Sequence, residues 1–365
     1  MGSAHVVCSA EGTWQVIKQG FSGVLSVLWA GLFAVSCISS HTEARDMKTQ
    51  RIDAMFEKTK AVCFGRFVID VPAGAAVLAG PQIFNGAIET MPSRIHSAAP
   101  VIAVKAKELR ATKHATLSGN LLQDELTIGP ISKNTIVFFD DVAATRVVSV
   151  WGWIRSEPID AIYKGGARLK DDGIRQELDS VNYIAAHLRA RDPTEAPPEP
   201  GVCLDVGFIA DDTGRFQEIF GIGLRFPDLP DVSFSVSSNK NAQQGDSFED
   251  RRAEAKRAAF LVAPMATLFN KVKTLREGKL KVQQGEGSEA LFRRPLEEGG
   301  GAWHEFQFEY AGKRFDHRNP SWDASLFTGV AHNQAGSRPS SLTDEEAMAL
   351  WDRLMSSVRL RVPTK

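Results

Sequence analysis

Hydrophobic residues recur at two different spacings along this chain, and the two spacings predict a protein built from both strands and helices. Residues 303–310 alternate between polar and apolar side chains, which is the pattern of a half-buried strand. The C-terminal region instead repeats apolar side chains at helical spacing, at Ala347, Leu350, Trp351, Leu354 and Val358. Thr343 and Glu346 form a capping-box pair, which predicts where this last helix begins.

Strands and helices are predicted in both halves of the chain. Runs of β-branched and aromatic residues predict strands at 67–71, 87–90, 134–139, 145–154, 216–224 and 232–236. Helical patterns predict helices over about 103–125, 172–191 and 247–276. This mixture in both halves predicts the α+β fold class, with two domains of similar size.

A proline-rich segment at residues 192–201 marks the predicted boundary between these domains. It contains four prolines in ten residues, a composition that favours an extended and semi-rigid linker. The predicted domains are then 60–191 and 202–365. Residues 38–59 are predicted to be a polar tether, and residues 1–37 a signal or anchor segment.

The segment before the tether is apolar and carries no charge from Gly20 to Ser40. Its length lies between that of a secretory signal and that of a membrane anchor. The residues Ala34 to Cys37 resemble a bacterial lipobox, which makes Cys37 the candidate for lipid attachment. A cleaved lipoprotein and an uncleaved N-terminal anchor both remain open. Either one predicts a folded part in the periplasm that touches the membrane only through this segment.

Two cysteines, Cys63 and Cys203, follow the predicted anchor, and each opens a predicted strand. Because disulfides persist in an oxidising compartment, a bond between these two residues is predicted. The alternative is a pair of buried free thiols, since cysteine is among the most buried residue types.

Composition and motifs exclude several classes of function. The 43 Lys and Arg against 44 Asp and Glu give a net charge of -1, which provides no overall field to attract nucleic acid. No CxxC pair, P-loop, GxGxxG, HExxH or Gly-x-Ser-x-Gly motif occurs in the sequence. We therefore predict no catalytic residue, no metal site and no cofactor.

A polar and irregular stretch at 311–341 is the best candidate for an interaction surface, because long loops often carry function. The adjacent Asp316 and His317 leave open a rival interpretation, an exported enzyme with a loop-borne site. A structural envelope lipoprotein is a third interpretation.

Five segments, taken in their order and spacing, resemble one known family. They are Cys63–Pro72, Pro200–Ile209, Phe226–Val232, Ser341–Asp352 and Ser357–Arg361, and they span roughly residues 60–363. The resemblance is to the immunity proteins of type VI secretion lipase effectors, with their N- and C-terminal domains. It implies a non-catalytic periplasmic protein that binds a phospholipase effector and obstructs access to its active site. We expect this binding to be 1:1.

Such a blocker needs groups that can cover the apolar mouth of a lipase. The segment 311–341 offers three aromatic residues for this role, namely Phe315, Trp322 and Phe327. They are the predicted partner-binding residues, and the alternative is that they pack back into the core of the second domain.

Overall fold

The computed structural model describes residues 49–93, 98–126, 132–169, 172–243, 245–260, 271–296 and 299–361. Strands dominate these ranges. In the first half they are β1 (Thr59–Phe64), β2 (Phe67–Pro72), β3 (Ala76–Phe84), β4 (Gly86–Pro92), β5 (Leu122–Leu126), β6 (Ser132–Phe138), β7 (Val147–Ser156), β8 (Ile159–Arg168) and β9 (Leu188–Ala190). In the second half they are β10 (Gly201–Cys203), β11 (Gly207–Ala210), β12 (Glu218–Phe226), β13 (Leu229–Asn239), β14 (Lys273–Val282), β15 (Gly285–Pro295), β16 (Ala302–Tyr310), β17 (Ser321–Phe327) and β18 (Arg359–Leu360).

A twelve-stranded antiparallel sheet organises the described residues. Its strand order is β14-β15-β16-β17-β13-β12-β3-β4-β8-β7-β6-β5. Two small sheets, β1-β2-β18 and β10-β11-β9, accompany it. The helices are α1 (Ala99–Ala111), α2 (Gly173–His187), α3 (Phe248–Phe260) and α4 (Asp344–Ser357), and residues 49–55 are also helical. The predicted α+β class is confirmed.

The large sheet passes from the first half of the chain to the second through one strand pair. β3 pairs with β12, so that Val77 lies opposite Leu224 and Ile83 lies opposite Ile219. The small sheets mix the halves as well, because β2 pairs with β18 and β9 pairs with β11. Arg51–Lys365 accordingly forms one compact unit. The halves share their sheets, whereas the sequence predicted two bodies held together by a linker.

The proline-rich segment 192–201 is a loop fixed to the protein by three arginines. Arg189 Nη2 lies 2.8 Å from Glu195 Oε1 and 2.7 Å from Glu199 Oε1. Arg191 donates to the carbonyls of residues 192, 193 and 195, and Arg361 donates to those of residues 197, 199 and 201. Prolines contribute carbonyls without N–H groups, so external donors satisfy this backbone. The segment is therefore anchored and does not act as a spacer between separate domains.

Local capping residues set some helix ends, and strand pairing of the residues beyond the helix sets others. Thr343 Oγ1 accepts the N–H of Glu346 at 3.2 Å, and Glu346 Oε2 accepts the N–H of Thr343 at 2.9 Å, which confirms the predicted capping box. The helix predicted over 103–125 ends at Ala111, because Thr112 is extended and residues 122–126 pair as β5. The helix predicted to reach residue 276 is also too long, since 273–282 pairs with β15.

Candidate protein-binding surface

The loop between β16 and β17 is short, closed and held by its own hydrogen bonds. Lys313 N–H donates to the Asn319 carbonyl at 2.7 Å, and Tyr310 Oη donates to Asn319 Oδ1 at 2.8 Å. Gly312 has a φ of 59°, and a Cβ there would lie 2.4 Å from the amide nitrogen of Ser321, so only glycine fits. These contacts hold the intervening residues in one defined conformation.

Phe315 stands at the tip of this loop with 60% of its surface exposed. Its φ of 66° lies in the left-handed region, which costs a residue with a Cβ roughly 1–2 kcal/mol. Its N–H donates to the Lys240 carbonyl at 2.8 Å, and this bond fixes the conformation. An exposed aromatic ring and a strained backbone both oppose folding. Features of this kind concentrate at functional sites, where the surrounding structure holds them in place.

One cation packs against the exposed ring, and other basic residues are exposed on the same loop and on a neighbouring turn. The guanidinium of Arg314 lies 4.4 Å from the centre of the Phe315 ring, and Lys313 and Arg318 are exposed in the same loop. Arg215, on a neighbouring turn, stacks 4.5 Å from the ring centre of Tyr183. We refer to Arg215, Lys313, Arg314, Phe315 and Arg318 together as the Phe315 surface. It combines an exposed aromatic ring with basic side chains, of which Arg318 lies 3.5 Å from the carboxylate of Asp212. Exposed aromatic and arginine side chains are typical of protein-binding patches.

A buried ion cluster lies beneath the Phe315 surface. Arg66 is 8% exposed, and its guanidinium contacts Glu218 Oε2 and Asp211 Oδ2, both at 2.7 Å. Lys240 Nζ lies 3.8 Å from Glu218 Oε1 and donates to the carbonyls of Gly214 and Phe216. Each buried charge is thus paired, and removing one partner of such a pair costs about 3–5 kcal/mol. Because the backbone carbonyl of Lys240 accepts the Phe315 N–H, the cluster also fixes the base of the loop.

The carboxyl of Asp211 stays ionised within this cluster. Burial raises its pKa, but hydrogen bonds from Thr213 and Tyr183 and the charge of Arg66 outweigh that effect and bring the pKa to about 2. Burial and the bond to Asp211 raise the pKa of Tyr183 to about 12. The Tyr183 hydroxyl therefore keeps its proton at neutral pH and donates it to Asp211 Oδ1 at 2.8 Å.

His317, half of the rival catalytic hypothesis, is held in place by the turn that carries Asp212. Its Nε2 lies 3.4 Å from Asp212 Oδ1, while Asp316 Oδ1 instead accepts the N–H of Arg318. The ring packs so closely on Gly214 that a Cβ there would lie 2.1 Å from Nδ1. Within the described ranges, no group of three His, Cys, Asp or Glu side chains is placed to hold a metal ion. His317 therefore connects two loops, and it does not pair with Asp316.

The structure joins Cys63 to Cys203 by a disulfide, with Cα atoms 5.8 Å apart. The backbone beside it is also paired, because Gly65 and Cys203 exchange two hydrogen bonds of 2.9 and 2.8 Å. The bond thus connects the end of β1 to β10, across the two halves of the chain.

Each half of the chain matches one domain of a known protein family. Residues 60–149 match the family described as the Tle cognate immunity protein 4 N-terminal domain, and residues 195–363 match the corresponding C-terminal domain. The chain belongs to the Tle cognate immunity protein 4 family. It is accordingly an immunity protein and not an enzyme.

Solved structures of immunity proteins share its fold across both halves. The crystal structure of the Tle4–Tli4 complex matches with 26% identity and a TM-score of 0.70, over 84% of this chain and 98% of that chain. The apo immunity protein TplEi of the type VI system of Pseudomonas aeruginosa matches with 27% identity and a TM-score of 0.69, over the same shares. TplEi complexed with the "L" peptide matches with 25% identity and a TM-score of 0.65, over 84% and 99%. No curated protein matches the chain.

Of the three aromatic residues that the sequence predicted for partner binding, only Phe315 lies at the surface. Trp322 is 1% exposed, with its ring centre 4.5 Å from that of Phe308, because 321–327 forms a strand inside the stretch predicted as irregular. Phe327 is half-buried at the far end of this seven-residue strand, roughly 20 Å from its start. The three residues therefore do not form one wedge, and Trp322 is a core residue.

The predicted anchor falls outside the described residues, and Cys37 with it. Within the ranges that the structure describes, no helix combines the length and the apolar character needed to cross a membrane. The sequence did not predict the ion cluster, because Arg66, Asp211, Glu218 and Lys240 are far apart in the chain and belong to no recognisable motif.

Proposed function

We propose that this immunity protein binds a Tle4-type lipase effector of a type VI secretion system, one to one, and obstructs access to its active site. The observation that carries the proposal is the match to the Tle4–Tli4 complex, which covers 98% of that chain and both halves of this one. Because the structural similarity extends through both halves, the whole fold of the matched chain is shared, and not one fragment alone.

The Phe315 surface supplies the chemistry that such a contact needs. A lipase binds acyl chains, so the mouth of its active site is apolar and can accept an aromatic ring. Phe315 is already exposed and held by the Lys240 carbonyl, so little conformational entropy is lost when it is buried against a partner. With a net charge of -1, the chain gains affinity from local fit and not from long-range attraction.

Calorimetry against a Tle4-type lipase effector tests the proposal. Phe315→Ala should weaken binding by about 2 kcal/mol, roughly thirtyfold, if the ring is an anchor. Alanine and phenylalanine meet the same backbone strain at a φ of 66°, so the change isolates the ring. Val104→Ala, at a 67% exposed site on α1, is the matched control and should leave affinity unchanged.

Lipid hydrolysis by the same lipase gives the functional result. Wild-type protein should inhibit hydrolysis at a 1:1 molar ratio, and the Phe315→Ala protein should require a higher concentration. Full lipase activity at saturating wild-type protein would overturn the proposed function. If folded Phe315→Ala bound the lipase as tightly as wild type, the Phe315 surface would not be part of the binding site, and the proposed function itself would stand.

We further propose that the folded part works in the periplasm, tethered through the N-terminal segment. The disulfide between Cys63 and Cys203 supports this location, since such bonds persist in oxidising compartments. Metabolic labelling with a fatty acid should mark the wild-type protein and not the Cys37→Ser variant. A membrane-bound protein of full mass without label would favour an uncleaved anchor, and recovery of the protein in the cytoplasm would contradict both.

A further inference from the structure

Two arginines of the Phe315 surface, Arg215 and Arg314, lie over aromatic rings. The guanidinium of Arg215 is 4.4 Å from the ring centre of Phe216 and 4.5 Å from that of Tyr183. The guanidinium of Arg314 is 4.4 Å from the ring centre of Phe315. Both arginines are exposed, and neither guanidinium has a hydrogen-bond acceptor among the described residues. Their N–H groups are therefore free to bind an acceptor from another molecule.

Arginines that lie over aromatic rings elsewhere in the protein hold an acceptor of their own. Carboxylates bind the guanidinium groups in four cases, which are Arg155 with Asp160 at 3.1 Å, Arg189 with Glu199 at 2.7 Å, Arg252 with Glu277 at 2.8 Å, and Arg294 with Glu305. Arg361, over the ring of Phe208, donates to backbone carbonyls instead. Within the described ranges, only Arg215 and Arg314 combine a ring contact with unused N–H donors.

Lys240 holds the backbone beside both arginines. Its Nζ donates to the carbonyl of the residue directly before Arg215. Its own carbonyl accepts the N–H of Phe315, which directly follows Arg314, at 2.8 Å. These bonds and the ring contacts already restrict the two side chains, so a partner that binds their N–H groups costs little conformational entropy.

The chemistry of the two guanidinium groups favours an anionic acceptor with two oxygens. The planar N–H fork of arginine matches a carboxylate or a phosphate bidentately. Lys313 is exposed in the same loop, has no ion pair within the described part of the chain, and adds a further positive charge. Because the net charge of the chain is -1, this attraction is local and acts within the Debye length, about 8 Å at physiological salt.

Carboxylates of a protein match this surface better than the phosphates of a membrane. Asp212, 3.5 Å from Arg318, and Asp316 lie in the same two turns as the free arginines. An anionic lipid surface presents many phosphates side by side, and some of them would face these two carboxylates and be repelled. A folded partner can place carboxylates opposite the arginines alone and apolar side chains opposite Phe315.

We infer that Arg215 and Arg314 bind carboxylate side chains of the effector, beside the apolar contact made by Phe315. The inference rests on the proposed function and deepens it, because it assigns a charge to the effector surface that meets this protein. That surface is then an apolar site with acidic side chains next to it.

Calorimetry of the full chain against a Tle4-type lipase effector tests the inference with matched substitutions. Arg215→Gln and Arg314→Gln should each weaken binding about tenfold or more, because glutamine removes the positive charge and the N–H fork. Arg168→Gln is the control and should leave affinity unchanged, since Arg168 is exposed at the end of β8 and also has no acceptor for its guanidinium among the described residues. All three substituted side chains are exposed, so thermal unfolding should stay close to that of wild type.

Salt and lysine substitutions show whether the acceptors are charged and bidentate. Raising sodium chloride from about 50 to about 500 mM should weaken binding of wild type more than that of the double variant Arg215→Gln/Arg314→Gln. Arg314→Lys keeps the charge and loses the fork, so its affinity should lie between those of wild type and Arg314→Gln. An equal response of wild type and the double variant to salt would mean neutral acceptors and would contradict the inference.

Two outcomes separate the inference from the proposed function. If the folded glutamine variants bound the effector as tightly as wild type, the inference would be overturned and the proposed function would stand. Failure of wild type to bind the effector would overturn both.

Cosedimentation with vesicles of phosphatidylglycerol and phosphatidylcholine tests the lipid alternative. Wild type and the double glutamine variant should sediment equally, because the arginines are not expected to contact lipid. Weaker sedimentation of the double variant, together with unchanged affinity for the effector, would assign the arginines to an anionic membrane surface instead.

Discussion

Replacing Cys63 and Cys203 together by alanine should destabilise the folded protein by about 4 kcal/mol. The two residues are separated by 140 positions, so their bond closes a long loop in the unfolded chain. In the chain-entropy model a loop of this length corresponds to about 5 kcal/mol at 25 °C. This is the upper end of the expected effect, because unfolded chains retain some compactness and lose less entropy than the model assumes.

Non-covalent contacts near the disulfide cannot take over its effect on the unfolded chain. Gly65 and Cys203 exchange two backbone hydrogen bonds, and β3 pairs with β12 across the halves, but these contacts disappear on unfolding. Only a covalent link restricts the unfolded chain. Loss of the two buried sulfur atoms, at positions 5% and 1% exposed, adds a smaller packing cost in the native state.

Urea unfolding followed by tryptophan fluorescence measures the effect. The midpoint of the double variant should fall by about 1–2 M at a slope typical of urea. Reductant should lower the midpoint of wild type toward that of the variant and leave the variant unchanged. A double variant as stable as oxidised wild type would refute the reasoning, as would an equal response of both proteins to reductant.

Two further predictions concern the buried interior. Folding lowers the pKa of Asp211 from 3.8 to about 2, so the ionised carboxyl should stabilise the folded protein by about 2 kcal/mol. This stability is present above pH 4 and is lost as the pH falls toward 2. Acid unfolding should show the loss in wild type and not in Asp211→Asn. Trp322→Ala should lower the free energy of unfolding by about 3–5 kcal/mol in urea titrations, because its ring fills the core beside Phe308, and a folded variant of wild-type stability would contradict this placement.

The sequence predicted those structural features that depend only on residues close together in the chain. The capping box at Thr343 and the alternating strand at 303–310 need only local spacing, and both are present. The pairing of β3 with β12 joins residues about 140 positions apart, and no local pattern specifies it. The expectation of two separate domains rested on the prolines of 192–201. Composition gives no sign that Arg361, distant in sequence, binds that segment.

The candidate site was predictable only in part, because local patterns can be seen in the sequence and contacts between distant residues cannot. Phe315 lies in a polar loop, and loop position alone indicated exposure. Trp322 was wrongly grouped with it, although Trp322, Ala324 and Leu326 alternate with Asp323 and Ser325 in a strand pattern that 321–327 adopts. Attention to this period would have placed Trp322 in the core. The left-handed backbone of Phe315 depends on Lys240, a contact that the sequence does not reveal.

A shared sheet also fixes where the Phe315 surface stands in the molecule. The Phe315 loop is held by the carbonyl of Lys240, which directly follows β13, and β13 pairs along β12. β12 pairs in turn with β3 from the first half of the chain. Two domains on a flexible linker would have to be ordered before both could contact one partner, and ordering costs affinity. Because strands of one sheet already fix this spacing, we expect binding that needs no closing motion of one half toward the other.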